Sequence, residues 1–233
     1  RRLGVMSFPV VFQRARRLQR AAALALTLTG LGSAGACQAA HEWRGTPIEP
    51  PAAAPRLALT TSGGRAYDLA AERGKVALVF FGYTRCPDVC PTTLAEWAKA
   101  KRALGADSSA VRFVFVSVDP ARDTPDAADA YARRFDPAFV GVSGTPGEIG
   151  VVTSAWGVTA FEESAGADPH AGHGGASGPV PNASGTAATP ATTGPSIAHT
   201  PRTFVVAREG RLRVLHPANA RPEDLAADVR ALL

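Results

Sequence analysis

Two of the chain's three cysteines, Cys86 and Cys90, lie in FFGYTRCPDVCPTTL, residues 80–94. An apolar run precedes them and a stretch with helical spacing follows. Two residues four apart in the first turn of a helix share a face. The unbonded N–H groups and the dipole at that end favour thiolates over thiols. A thiolate is both the nucleophile of disulfide exchange and a soft ligand for Cu(I) or zinc. The C-x-x-x-C spacing differs from the C-x-x-C of ordinary dithiol oxidoreductases. The residues alone leave three uses open: a redox pair, a metal clamp or a structural disulfide.

The third cysteine ends a different pattern. Arg14, Arg16, Arg17 and Arg20 precede the apolar stretch AAALALTLTGL (21–31), and SAGA leads into Cys37. A charged region, a short apolar region and small residues form a secretory signal, here residues 1–36. The small residues ending at a cysteine resemble a bacterial lipoprotein signal, in which cleavage leaves Cys37 N-terminal and lipidated. Ala34 stands where such signals more often carry leucine, which keeps a plainly cleaved or anchored leader as the alternative. The formal net charge is +5, but residues 1–40 hold six arginines and no acid. The rest holds 19 basic and 20 acidic side chains, so the basicity belongs to the leader and a nucleic-acid partner is excluded. Export to the outer, periplasmic face of a bacterial cytoplasmic membrane puts Cys86 and Cys90 where disulfides form.

The elements that must position the cysteines follow from the same patterns. Residues 37–55 are rich in proline and alanine, lack periodicity and read as a tether. RLALTTSGGRAYDLA suggests a hairpin turning at Gly63 and Gly64. KVALVFFGY (75–83) and VRFVFVSVD (111–119) read as strands covered on both faces. Helices follow each of them. Pro91 fits a first turn, and Thr124 with Pro125 and Thr145 with Pro146 read as N-cap and first helical residue. RTFVVAREGRLRVLH reads as a hairpin turning at Glu209 and Gly210, and RPEDLAADVRALL closes as a helix. From Ala165 to Ser196, 27 of 32 residues are Gly, Ala, Pro, Ser or Thr. Such a segment buries too little to offset its ordering entropy, so 165–196 is expected to be a disordered loop. The order β–α–β–α–α–β–β–α over 56–233 suits an α/β, thioredoxin-like fold with that loop inserted.

FFGYTRCPDVCPTTL resembles the signature of the Sco/SenC family, copper-handling proteins of cytochrome c oxidase assembly. VSVDPARDTPDAADAYARRFDPAFVGVSGTPGEI resembles that family's next stretch, and IAHTPRTFVVAREG stands in the place of its third motif. The resemblance covers about residues 56–233 outside the low-complexity loop. It implies a thioredoxin-like fold and one copper, Cu(I) or Cu(II), held by Cys86, Cys90 and His199. It also implies a membrane-tethered metallochaperone that serves the dinuclear copper site of an oxidase subunit, supplied by a thiol reductant or another copper carrier. Two thiolates and an imidazole make a soft, low-coordinate site suited to that metal. The family usually carries Asp before this histidine, where this chain has Ala198. Pro201 resembles the proline that faces the active cysteines in thiol reductases, and Thr200 would then lie against the sulfurs. These departures sustain a second reading, a thiol–disulfide oxidoreductase using Cys86 and Cys90 as a redox-active disulfide. A copper or redox sensor is a third. Asp88, Asp119 and Asp123 are candidates to support the site; the alternative is turn capping for the last two and a solvated turn residue for Asp88. His170 and His173 fall in the low-complexity loop and read as linker residues. Trp97 and Trp156 read as packing residues, and His216 has no partner legible from sequence.

Overall fold

The computed structural model describes residues 41–163, 196–199 and 201–233. The expected signal peptide with Cys37, the loop histidines His170 and His173, and Thr200 lie outside the described residues.

The sheet grows outward from its most apolar strand. β4 (Val76–Gly82) has all seven residues buried, which requires cover on both faces. β5 (Val111–Ser117) lies parallel beside it, and β6 (Val140–Val142) parallel beside β5. α1 (Val89–Leu104) makes the first crossover and α2 (Pro125–Arg133) the second. On the other side of β4, β9 (Arg202–Val206) runs antiparallel and turns through Gly210 (φ 80°) into β10 (Arg211–Pro217). The strand order is β1-β10-β9-β4-β5-β6, with β1 (Thr46–Ala53) on the edge. This mixed sheet with helices on its faces is the thioredoxin-like α/β architecture expected.

Alternation along β4 divides the core in two. Val76, Leu78 and Phe80 face α1 and α4 (Pro222–Arg230), while Ala77, Val79 and Phe81 face the opposite side. There the hairpin of β2 (Ala58–Thr61) and β3 (Arg65–Asp68) and helix α3 (Pro146–Ala155) provide the cover. Trp97 fills the first half against Phe80, Phe113 and Phe139, at centroid distances of 6.2, 5.7 and 6.0 Å. Its indole N–H donates to Thr203 Oγ1 at 3.1 Å, which ties α1 to β9. Trp156, just past the end of α3, fills the second half between Phe81 and Phe204, at 5.6 and 5.3 Å. Both tryptophans are packing residues, as expected. The caps also hold. Thr124 Oγ1 accepts from Ala127 N at 3.2 Å, and Thr145 forms a reciprocal capping box with Glu148.

Three expectations are corrected. Within the expected tether 37–55, residues 46–53 form β1, pairing antiparallel with β10 from Thr46↔Leu215 to Ala53↔Arg211. Prolines hid this strand from the sequence reading. An edge strand tolerates them because half its N–H groups have no ladder partner, and the register shifts between Pro47 and Ala52. The loop expected over 165–196 lies outside the described residues except for Ser196, which is not loop. Ser196 opens β8 (Ser196–His199), which pairs antiparallel with β7 (Ala160–Glu163). His216 has a partner after all: its Nε2 lies 3.0 Å from Asp228 Oδ2, and both side chains are buried. Asp228 also accepts from the backbone N–H groups of Arg44 and Gly45, fastening the chain ahead of β1 to α4. Among the described residues no helix is long and apolar enough to cross a membrane.

Candidate metal centre

β4, β5, β9 and β10 bring one end of the sheet to a common edge, and the cysteines stand there. β4 ends at Gly82, and the chain turns through Tyr83 to Asp88 before α1 begins at Val89. Cys90 is therefore the second residue of the helix, fully buried, whereas Cys86 lies in the turn before it, half-buried. The sequence reading placed both on the first turn, and only Cys90 is there. The consequence is chemical. The Cys90 N–H donates to Cys86 Sγ at 3.4 Å, so the Cys86 sulfur sits on the positive end of α1. Asp88 occupies the N-cap position, but its side chain makes no capping bond and is exposed. A sulfur does what a carboxylate would ordinarily do.

Neither cysteine is joined in a disulfide. The hydrogen bond with Cys86, then burial, then the charge of the Cys86 sulfur push the Cys90 thiol above its ordinary range. Two soft sulfurs at one helix end, one of them buried, are suited to a soft cation.

Gly82 creates the room. A Cβ there would lie 2.6 Å from Cys90 Sγ and 3.0 Å from both Phe115 and Phe80. The sequence signal was a glycine closing a wholly buried strand, which marks a close approach. Asp123 holds the loop. Only 1% exposed, its carboxylate accepts from Thr84 N at 2.8 Å, Thr84 Oγ1 at 2.6 Å and Ser117 Oγ at 2.6 Å. Thr84 stands two residues before Cys86, so the turn after β5 clamps the turn after β4. Asp119, for which support of the site and turn capping were both open, lies in the turn after β5. It pairs with Arg122, and its carbonyl accepts from Arg122 N and Asp123 N at 3.1 and 2.8 Å. Of the two aspartates, Asp123 supports the cysteines and Asp119 shapes the turn that delivers it.

His199 is described by its backbone. It ends β8, opposite Ala160, three residues before β9 begins. In the β4–β9 register Phe80 faces Thr203. Gly82 is two residues beyond Phe80 and Pro201 two residues before Thr203. The chain carrying His199 thus enters the sheet at the end where β4 leaves for the cysteines. Pro201 is exposed and lines, with Thr46, Arg202, Leu215, His216 and Pro217, a surface cavity of about 450 Å³. Among the described residues no three His, Cys, Asp or Glu side chains gather into a metal cluster. The donors in place are the two sulfurs, and their softness and mutual contact fit a copper ion.

Comparison with known proteins agrees with this architecture. The solution structure of apo Sco1 from Thermus thermophilus superposes with a TM-score of 0.66 at 36% identity, covering 84% of this chain and 99% of that one. Bradyrhizobium japonicum ScoI with copper bound gives a TM-score of 0.61 at 34% identity, covering 78% of this chain and all of that one. A SCO2-like protein of Rickettsia conorii is 34% identical over 100 residues, 43% of this chain and 49% of that protein. The chain spans about half the length of the curated relatives it matches first. The family model described as SCO1/SenC matches residues 46–176, a stretch that opens at β1 and takes in both cysteines, Gly82 and Asp123. On this match and these superpositions, the chain belongs to the SCO1/SenC family.

Proposed function

We propose that this protein carries copper and delivers it during assembly of the dinuclear copper site of cytochrome c oxidase. Cys86, Cys90 and His199 are the ligands in this reading. The observation that carries it is the sulfur pair at the N-terminus of α1: two soft donors side by side, Cys86 Sγ accepting from the Cys90 N–H and Cys90 buried. The copper held by Bradyrhizobium japonicum ScoI, a 34% identical structure spanning most of this chain, supports the choice of metal. Release would proceed by ligand exchange, acceptor cysteines replacing Cys86 and Cys90 one at a time. The half-buried Cys86 is the accessible end of that exchange. A lipid on Cys37, or an uncleaved leader, would hold the domain at the outer face of the membrane, where the acceptor subunit presents its site.

The test is transfer. Copper-loaded protein mixed with a purified, reduced copper-binding domain of the oxidase subunit should lose its copper to that domain. Loading that leaves the acceptor empty would favour a sensor and contradict delivery.

The different burial of the cysteines favours one alternative. A half-buried Cys86 beside a fully buried Cys90 is the arrangement of an attacking and a resolving thiol. In a thiol–disulfide reductase Cys86 would attack the acceptor's disulfide, and Cys90 would then displace the reduced acceptor. Cys90→Ser should trap the mixed disulfide through Cys86. Absence of a trapped acceptor, alongside stoichiometric copper, would count against that activity.

A further inference from the structure

The end of the sheet opposite the cysteines gathers guanidinium and ammonium groups. β4 starts there after Lys75, β9 ends there, and β10 starts there at Arg211. The turns at this end are fastened together: Gly74 N donates to Arg208 O at 2.8 Å and Ala54 N to Gly210 O at 3.0 Å. Three exposed arginines are held in place by backbone oxygens. Arg73 Nη1 donates to Glu209 O at 3.2 Å, Arg208 Nε to Gly74 O at 3.0 Å, and Arg211 Nη2 to Pro51 O. Arg208 Nη1 also reaches Leu233 O. A neutral carbonyl orders a guanidinium without cancelling its charge. The acids nearby are Asp68, whose carboxylate accepts from Ala70 N, Glu72, which pairs with Arg112 at 2.9 Å and Lys75 at 3.5 Å, and the exposed Glu209. The cations outnumber them. Between the turns lies a cavity of about 250 Å³, lined by Leu57, Leu69 and Val206 and by Arg56, Arg73 and Lys75. An apolar wall beside a cationic rim suits an amphiphile with a negative phosphate rather than a fully hydrated ion.

Charge and chain path name the occupant. Arg213, two residues into β10 from this end, stacks on Trp43 at 5.3 Å. The chain from Cys37 to Trp43 reaches at most about 20 Å. A leader or a lipid at Cys37 therefore keeps this end within reach of the bilayer. We propose that the basic end docks on the anionic headgroups of the membrane, which turns the Cys86–Cys90 end away from the lipid and toward its acceptor. The inference rests on the membrane anchoring proposed above. Each cation held near an anionic surface adds roughly five-fold to the affinity, an attraction that falls off within a Debye length. Outside the leader the basic and acidic side chains nearly balance, so composition hides what the fold collects at one end.

The experiment attaches the full chain to vesicles of phosphatidylcholine alone or mixed equally with phosphatidylglycerol. Labelling by water-soluble amine and thiol reagents is then read residue by residue by mass spectrometry. Lys75 reports the basic end, the exposed Lys99 on α1 is the internal control, and the half-buried Cys86 reports the other end. On the anionic vesicles, labelling of Lys75 relative to Lys99 should fall roughly ten-fold and recover in high salt, while Cys86 stays reactive. Phosphatidylcholine alone should leave Lys75 open. Arg56→Gln combined with Arg73→Gln should restore Lys75 labelling on the anionic vesicles without lowering the melting temperature. Equal Lys75 labelling on both vesicles, in a chain that is attached to them, would overturn the docking alone. Protection that needs no anionic lipid and grows with protein concentration would assign the face to a second copy and overturn it too. A chain that attaches to neither vesicle would overturn the membrane anchoring and this proposal with it.

Discussion

The sulfurs are positioned by contacts from residues distant in sequence, and those contacts give the sharpest tests. A Cβ at Gly82 would press on Cys90 Sγ at 2.6 Å, with Phe80 and Phe115 closing the other directions at 3.0 Å. Gly82→Ala should therefore lower stability by about 1–3 kcal/mol and weaken copper retention, read from denaturant midpoints and metal competition on the same sample. An unchanged copper affinity would show that the sulfur is not confined there. Asp123→Asn removes a carboxylate that takes three hydrogen bonds from Thr84 and Ser117. It should cost about 1–3 kcal/mol and speed hydrogen exchange at the Thr84 amide, because an amide group offers only one acceptor oxygen. At this scale the sequence was partly legible. Cys86 and Cys90 stood out by type and spacing, and Asp123 was in view as a candidate. Its reach to Thr84 was not, since a contact across 39 residues depends on two strands being neighbours.

Among the elements, those with strong local chemistry were the readable ones. The buried strands β4 and β5 follow from apolar runs, and α2 and α3 from Thr-Pro starts whose caps form as read. β1 escaped because its prolines obey edge rules that local pattern does not reveal, and β6 because three residues are too few for periodicity. β1 also corrects where the domain begins. Trp43 packs on the core, and Arg44 and Gly45 donate to Asp228. A chain shortened to start at Arg56 should thus be several kcal/mol less stable than one starting at His41, since it exposes the β10 edge and strips N–H partners from a buried carboxylate. Thermal melting with light scattering checks this; equal melting temperatures and no aggregation would restore the tether reading.

Across the whole molecule, the His216–Asp228 pair couples stability to pH. Burial lowers the imidazole's pKa, and Asp228 only partly opposes it. The folded protein then binds fewer protons than the unfolded chain, whose imidazole titrates near 6.5. The contribution is complete above about pH 6.5 and is lost as pH falls through that value toward the folded pKa. His216→Gln should flatten the dependence between pH 7 and 5 in denaturant titrations; an equally steep curve would place the proton elsewhere. The central claim concerns the same end of the sheet, where β4 leaves for the cysteines and the chain bearing His199 enters β9. Anaerobic Cu(I) titration of the reduced protein, alongside Cys86→Ser, Cys90→Ser and His199→Ala, tests it most directly. The account predicts one tightly held copper per chain, lost in each cysteine variant and weakened in the histidine variant without loss of fold. Full-strength binding in either cysteine variant would contradict it.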